Sequence, residues 1–206
     1  MKRLVRADVD AAVETLGAAF FEDSLVSRLC PDQGSRLHCT MPVFRFSANM
    51  AVGYGEAWAM PQASQEGQPH PAALPAVALW QYSWRMGCPL WRWVQYGGLD
   101  IRRRLGPTAY RELTRISARI DAMRERVAPE RYLYLSSLGV SPQHRRQGLA
   151  RALVQPRVHQ AAAEGLCSIV ETNSEGALSF YQEVGFVIRA QSSISGLQYN
   201  VLQYRG

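Results

Sequence analysis

Residues 138–151 read Leu138-Gly139-Val140-Ser141-Pro142-Gln143-His144-Arg145-Arg146-Gln147-Gly148-Leu149-Ala150-Arg151, and this stretch decides the fold. It is an apolar strand ending at Ser141-Pro142, a short loop, and the opening of a helix. The first turn of a helix carries N–H groups without intrahelical partners and the positive end of the helix dipole, so it binds phosphate. Gly148 lets the backbone approach an anion, and Ala150 adds little bulk. Arg145, Arg146 and Arg151 put cationic forks around the same point. On residue chemistry alone the stretch is a pyrophosphate cradle. It has neither the G-x-x-x-x-G-K-[ST] of a Walker A loop nor the G-x-G-x-x-G of a dinucleotide-binding turn.

Working outward, Tyr132 to Val140 is the strand that feeds the cradle, and Gly148 to Glu164 is the helix that leaves it. Pro156 lies inside that helix, where proline costs about 3 kcal/mol, and is expected as a tolerated kink. Ser168 to Thr172 reads as a short strand, Glu175 to Val184 as a helix closed by Gly185, and Val187 to Gln191 and Leu197 to Tyr204 as two final strands. Upstream, Gly106-Pro107 opens a helix whose Ala109, Leu113, Ile116, Ile120, Met123 and Val127 form one apolar stripe. Gly55 to Met60 and Ala76 to Tyr82 read as strands joined by a long hairpin loop, Pro61 to Pro75. Arg3 to Arg6 is a short first strand, and Asp8 caps an amphipathic helix running to about Phe21. Glu22 to Pro31 is a loop or a broken second helix, and Leu37 to Met50 is helical from Pro42 onward. The order is mixed α/β (α+β), a single domain over residues 1–206, long enough to bury a core unaided.

Lys+Arg number 23 against 17 Asp+Glu, a net charge of +6 carried almost wholly by arginine, and 47% hydrophobic residues exclude a disordered chain. Cys30, Cys39, Cys88 and Cys167 form no CxxC pair and read as packed, reduced thiols; with His38, His70, His144 and His159 they show no ligand spacing, so no metal is expected. The N-terminus lacks an apolar core, and no apolar run approaches the roughly 18 residues of a membrane helix, so the expected setting is cytoplasmic. The arginines between Arg102 and Arg131 are interleaved with Glu112, Asp121 and Glu125, which marks a salt-bridged face and disfavours a nucleic-acid partner.

The spacing R-x-x-G-x-A over Arg145, Gly148 and Ala150 resembles motif A of the GCN5-related N-acetyltransferase (GNAT) superfamily. Asn173, Ala177, Phe180-Tyr181 and Gly185-Phe186 resemble its motif B, N-x-x-x-A-x-x-F-Y-x-x-x-G-F. With both motifs in order, the chain is identified as a member of that superfamily. Ala18-Ala19-Phe20, the Ala76 to Trp80 strand and Val154-Gln155-Pro156 are similar to its puromycin N-acetyltransferase-like branch.

The resemblance implies a mixed sheet of about six to seven strands, splayed where acetyl-CoA enters, with the binding core at about residues 130–190. It implies acetyl-CoA as co-substrate and no metal. Leu138, Gly139 and Val140 would meet the pantetheine arm, with the Leu138 N–H on the thioester carbonyl. Arg145, Arg146, Gln147, Gly148, Leu149, Ala150 and Arg151 would wrap the pyrophosphate, and Asn173, Ala177 and Phe180 would face the CoA. Tyr181 is the expected general acid for the departing thiolate. Attack is expected to be direct, since Cys167 has no evident base. Glu22, Asp23 and Glu171 are the carboxylates nearest the acceptor, with Ser136 and Ser137 beside them. Trp58 and Trp80 read as core, and Trp84 and Trp91 as candidate pocket walls. The implied function is N-acetylation of a primary amine on a small, xenobiotic or antibiotic-like molecule. A peptide or protein amine and a non-enzymatic acetyl-CoA sensor are the alternatives, and a homodimer stays open.

Overall fold

The computed structural model describes residues 1–61 and 74–206, so most of the Pro61 to Pro75 hairpin loop lies outside the described residues. The elements run β1 (Lys2–Arg3), α1 (Val9–Ala19), α2 (Ser24–Leu29), α3 (Gln33–Tyr54), β2 (Glu56–Met60), β3 (Ala76–Tyr82), α4 (Leu90–Gln95), α5 (Gly98–Glu125), β4 (Tyr132–Val140), α6 (Leu149–Ala163), β5 (Cys167–Thr172), α7 (Glu175–Val184), β6 (Val187–Ile194) and β7 (Leu197–Tyr204). One seven-stranded sheet has the order β1-β2-β3-β4-β5-β7-β6, mixed as expected. Every pair is antiparallel except β4 with β5. That parallel pair needs a crossover, and α6 supplies it. Among the described residues, no helix is long and apolar enough to cross a membrane.

Alternation along the strands sorts the core into two faces. Ala78, Trp80, Leu133, Leu135 and Val170 pack under α6 and α7. Val77 and Leu79 pack under α1 and α3, while Tyr132, Ile169, Tyr199 and Val201 pack under α5. At about 25 cal/mol per Å² of apolar surface, these faces supply most of the driving force.

Several local expectations shift. The third helix starts at Gln33 rather than Pro42, because the Asp32 carboxylate accepts the Gly34 and Ser35 N–H groups at 3.3 and 3.0 Å and caps it there. Pro42 is then an interior, buried residue, and Pro156 is likewise carried inside α6. Asp8 does not cap α1; its carboxylate accepts the Val5 N–H at 2.9 Å and closes a 3-10 turn at Arg6–Asp8, which cuts the first strand to two residues. The second stretch is a short helix, α2, whose cap is Asp23. A limb beginning at Gly98 precedes the expected Pro107 helix, and the two meet at Gly106, whose φ of 72° and ψ of 169° break the helical path. Strand β6 runs on to Ile194, because Ser195 and Gly196, at φ of 54° and 77°, make a tight two-residue turn into β7.

Candidate active site

Strands β4 and β5 pair only from Tyr132 to Leu135 and from Cys167 to Val170. Beyond that point they part. Ser136 is bulged out of register with β3, and its hydroxyl donates to the Leu79 carbonyl at 3.1 Å. The Ser141 N–H donates to the Pro75 carbonyl of the β3 side at 2.8 Å. Because N–H groups alternate edges along a strand, Leu138 and Val140 turn theirs to the edge that β5 has left. Gly139 turns its amide to β3 instead. A Cβ there would come within 2.9 Å of Leu16 Cδ2 and 3.0 Å of Ala19 Cβ, so its bare Cα seats α1 on the sheet.

The open edge leads to the cradle. Helix α6 begins after Gly148 in the left-handed region at φ 76°, preceded by Arg146 at φ 60°. The N–H of Ala152 is the first to bond back, to the Gly148 carbonyl at 3.0 Å. Those of Leu149, Ala150 and Arg151 are therefore left as an anion-binding turn. A pocket of about 230 Å³ lies there, lined by Arg145, Arg146, Gly148, Ala150, Arg151 and Phe180. Two guanidinium groups are already engaged: Arg145 donates to the Ala19 carbonyl at 2.9 Å, and Arg151 pairs with Glu183 at 3.2 Å. Arg146 and Gln147 are exposed. His144 lines the same pocket with Nδ1 buried and without a partner among the described residues.

From the cradle a cavity of about 920 Å³ passes through the gap between β4 and β5 to the space between α1, α2, α3 and α5. Asn173 lies in its wall with Nδ2 buried and unpartnered. Ala177, Phe180 and Tyr181 line it from α7. Tyr181 packs at 5.2 Å from Phe180 and 5.5 Å from Phe186 between ring centres. Burial, and then the charge of Glu171, push its phenol well above the usual tyrosine range, so it holds its proton at neutral pH.

Glu171 sits in the wall at the splay. It pairs with Arg124 at 2.6 Å and accepts the Tyr134 hydroxyl at 2.5 Å. Arg124 also pairs with Asp121 at 2.5 Å and donates to the Tyr132 hydroxyl at 3.1 Å. Burial pushes the Glu171 carboxyl up, against the pull of Arg124 and Tyr134. Arg124, Asp121 and Tyr134 were not among the sequence candidates. The signal was present: Arg124 lies four residues after Ile120, on the apolar stripe rather than off it.

The other candidates separate. Glu22 is at the cavity's solvent side, its side chain 73% exposed, 3.6 Å from the buried Arg36. Asp23 lines the cavity, and its Oδ1 accepts the Leu25 and Val26 N–H groups at 2.9 and 3.1 Å as the cap of α2. Ser136 and Ser137 line the splay. Trp80 is core, and Trp58 donates its indole N–H to Glu56 at 2.9 Å. Trp84 and Trp91 do not line the cavity; they are 43% and 58% exposed, on the turn before α4 and on α4. Trp84 stacks on Tyr82 at 4.9 Å between ring centres with the Arg131 guanidinium over it, and the α4 that carries Trp91 packs on α5.

Residues 105–186 match the acetyltransferase (GNAT) family. The whole chain is similar in fold to a Corynebacterium glutamicum protein described as "histone acetyltransferase HPA2 and related acetyltransferase", with a TM-score of 0.63 and 20% identity over 99% of this chain and 94% of that one. It is also similar to arylalkylamine N-acetyltransferase 7 of the yellow fever mosquito, with a TM-score of 0.59 and 14% identity over 98% and 85% of the two chains. A polyamine N-acetyltransferase of Drosophila melanogaster gives 0.59 and 12% identity over 99% and 98%.

Proposed function

We propose that this chain, which belongs to the GNAT acetyltransferase family, moves an acetyl group from acetyl-CoA to the primary amine of a small molecule by direct attack. The observation that carries the reading is the open edge of β4. Its Leu138 and Val140 amides face a gap that runs without interruption from the free N–H groups of α6 into the large cavity. A pantetheine arm needs backbone partners of this kind, and a pyrophosphate needs that helix end. The unpartnered Asn173 Nδ2 and His144 Nδ1 fit a polar ligand along the same path.

In this reading the Leu138 N–H polarises the thioester carbonyl, and the amine nitrogen adds to its carbon. The carbon–sulfur bond then breaks, and the thiolate takes the Tyr181 phenol proton. The proton shed by the new ammonium goes to a carboxylate of the cavity. Glu171 is better placed than Glu22, since it lies at the splay, near enough to Tyr181 to act on its phenol, while Glu22 stands in solvent. The product amide leaves neutral, and water returns the proton to Tyr181. The fold neighbours named for arylalkylamine and polyamine acetylation support a small amine as acceptor.

Tyr181→Phe tests the assignment. It removes the acid and leaves the ring packing, so kcat should fall about a hundredfold while the Kd for acetyl-CoA moves less than about twofold. Free-CoA release with a panel of small amines reads the first, and calorimetry the second. An unchanged kcat overturns the role of Tyr181.

A further inference from the structure

The chain is basic, with a net charge of +6, yet the acceptor end of its cavity is not. The charged residues lining the whole cavity are Glu22, Asp23, Asp121, Glu171, Arg145 and Arg146. Both arginines belong to the cradle. The four carboxylates all lie on the acceptor side, on α5, β5 and the turn that leads from α1 into α2. Behind them, among the described residues, stand Arg36 beside Glu22 and Arg124 shared by Asp121 and Glu171, while Arg28, near enough to Tyr199 for its charge to act there, is paired with Glu112. Asp23 has no ion-pair partner among the described residues, and burial pushes its carboxyl up against its two backbone donors. The acceptor side therefore holds more carboxylates than arginines, Glu22 and Asp121 toward solvent and Asp23 and Glu171 enclosed.

A separate observation points to a ligand there. Tyr199 is 4% exposed, lines the cavity, and its hydroxyl is buried without a partner among the described residues. A buried hydroxyl left unpaired is costly, so its position asks for a polar group that the described residues do not provide. Its place is fixed by the sheet. Strands β5 and β7 pair Glu171 with Val201, and Tyr199 follows two residues on, on the same face. That diagonal puts the two residues about 7–8 Å apart at Cα. Asp23 lies near enough to Tyr199 for its charge to act on the phenol. The wall thus offers two polar stations, Glu171 with Asp121 at the splay and Asp23 with Tyr199 above it. Apolar Leu25, Leu113 and Ile120 line the same space.

We infer that the acceptor carries two cationic centres: a reactive primary amine near Glu171 and a second amine or guanidine held by Asp23 and Tyr199 across an alkyl spacer. The inference rests on the acetyl-transfer reading of the same cavity. It makes Asp23 and Tyr199 specificity residues rather than catalytic ones.

The test compares 1,5-diaminopentane with pentylamine, which share a spacer and differ in the second charge. In wild-type protein kcat/KM for the diamine should exceed that for pentylamine by roughly tenfold or more, the scale of one buried charge-assisted hydrogen bond. Asp23→Asn keeps the cap of α2, because Asn caps as well as Asp, and removes the charge. It should cut the diamine-to-pentylamine ratio about tenfold, through KM rather than kcat, and Tyr199→Phe should cut it about threefold. Equal kcat/KM for the two amines in wild type, or a ratio unmoved in both variants, overturns the inference. If neither amine releases CoA, the acetyl-transfer reading fails, and calorimetric titration decides the inference separately: heat from the diamine alone supports it, and equal heats or none overturn it.

Discussion

The chain buries a glutamate, an arginine and a tyrosine together on each face of its sheet, and the two clusters differ in how far the carboxylate is filled. Under α6, Glu56 accepts Arg157 Nε at 2.8 Å, Arg157 Nη2 at 2.9 Å, Trp58 Nε1 at 2.9 Å and the Tyr82 hydroxyl. Under α5, among the described residues, Glu171 accepts Arg124 and Tyr134 alone. Both side chains are largely out of solvent, 10% exposed for Glu56 and 7% for Glu171, but Glu171 is the more deeply enclosed, and the donors differ as well. A carboxylate offers about four acceptor sites, and Glu56 has all of them occupied while Glu171 has half. Burial raises both carboxyls. At Glu56 the donors and the Arg157 charge outweigh it and hold the group below the usual value, whereas at Glu171 burial wins and the group stands above it. The filled cluster is a fastener between β2, β3 and α6. The half-filled one faces the cavity with acceptor capacity left over.

Removing the two arginines puts this contrast under the greatest strain. Arg157→Met strips Glu56 of two hydrogen bonds and its countercharge in a place water does not reach, and should lower unfolding stability by about 3–5 kcal/mol. Arg124→Met takes one hydrogen bond from Glu171, which keeps its Tyr134 donor and faces the cavity, and should cost less, about 2–3 kcal/mol. Activity per folded molecule should order them the other way. It should fall about tenfold for Arg124→Met, because Glu171 is no longer held at the splay, and change less than about twofold for Arg157→Met. Urea unfolding and CoA release measure the two axes. Equal losses of stability would erase the distinction between fastener and site.

How much of this was open to reading follows from how local each feature is. The bounds of β4 and α7 rest on neighbours within one strand–turn–helix, and they stand where the sequence put them. Arg124 and Glu171 lie 47 residues apart, and only the packing of α5 on the sheet brings them together. The splay itself is a statement about pairing that stops, and no residue type announces it. Asp23 was legible as a carboxylate near the acceptor but not as the cap of α2, since a six-residue helix leaves a weak periodic trace. Trp84 and Trp91 misled because aromatic density suggests a pocket, while both rings lie on a segment that packs outward. Pro42 misled because a proline signal outweighed the Asp32 cap ten residues earlier.

The finest test of the contrast is the pH dependence of stability, because the two carboxyls depart from the usual glutamate value of 4.5 in opposite directions. Between the lowered value of Glu56 and 4.5, the unfolded chain binds more protons at that residue than the folded one, so stability rises with pH. The Glu56 contribution is complete above 4.5 and is lost as pH falls through the folded value. Between 4.5 and the raised value of Glu171 the folded chain binds more protons, so its contribution is complete below 4.5 and is lost as pH rises through that value. Each slope is at most about 1.4 kcal/mol per pH unit. Subtracting the stability of Glu56→Gln from that of wild type should therefore give a difference that shrinks on acidification below 4.5. The same subtraction with Glu171→Gln should give one that shrinks as pH rises above 4.5. Two differences that bend the same way would show that both carboxylates are equally satisfied, and the half-filled reading of Glu171 would go with them.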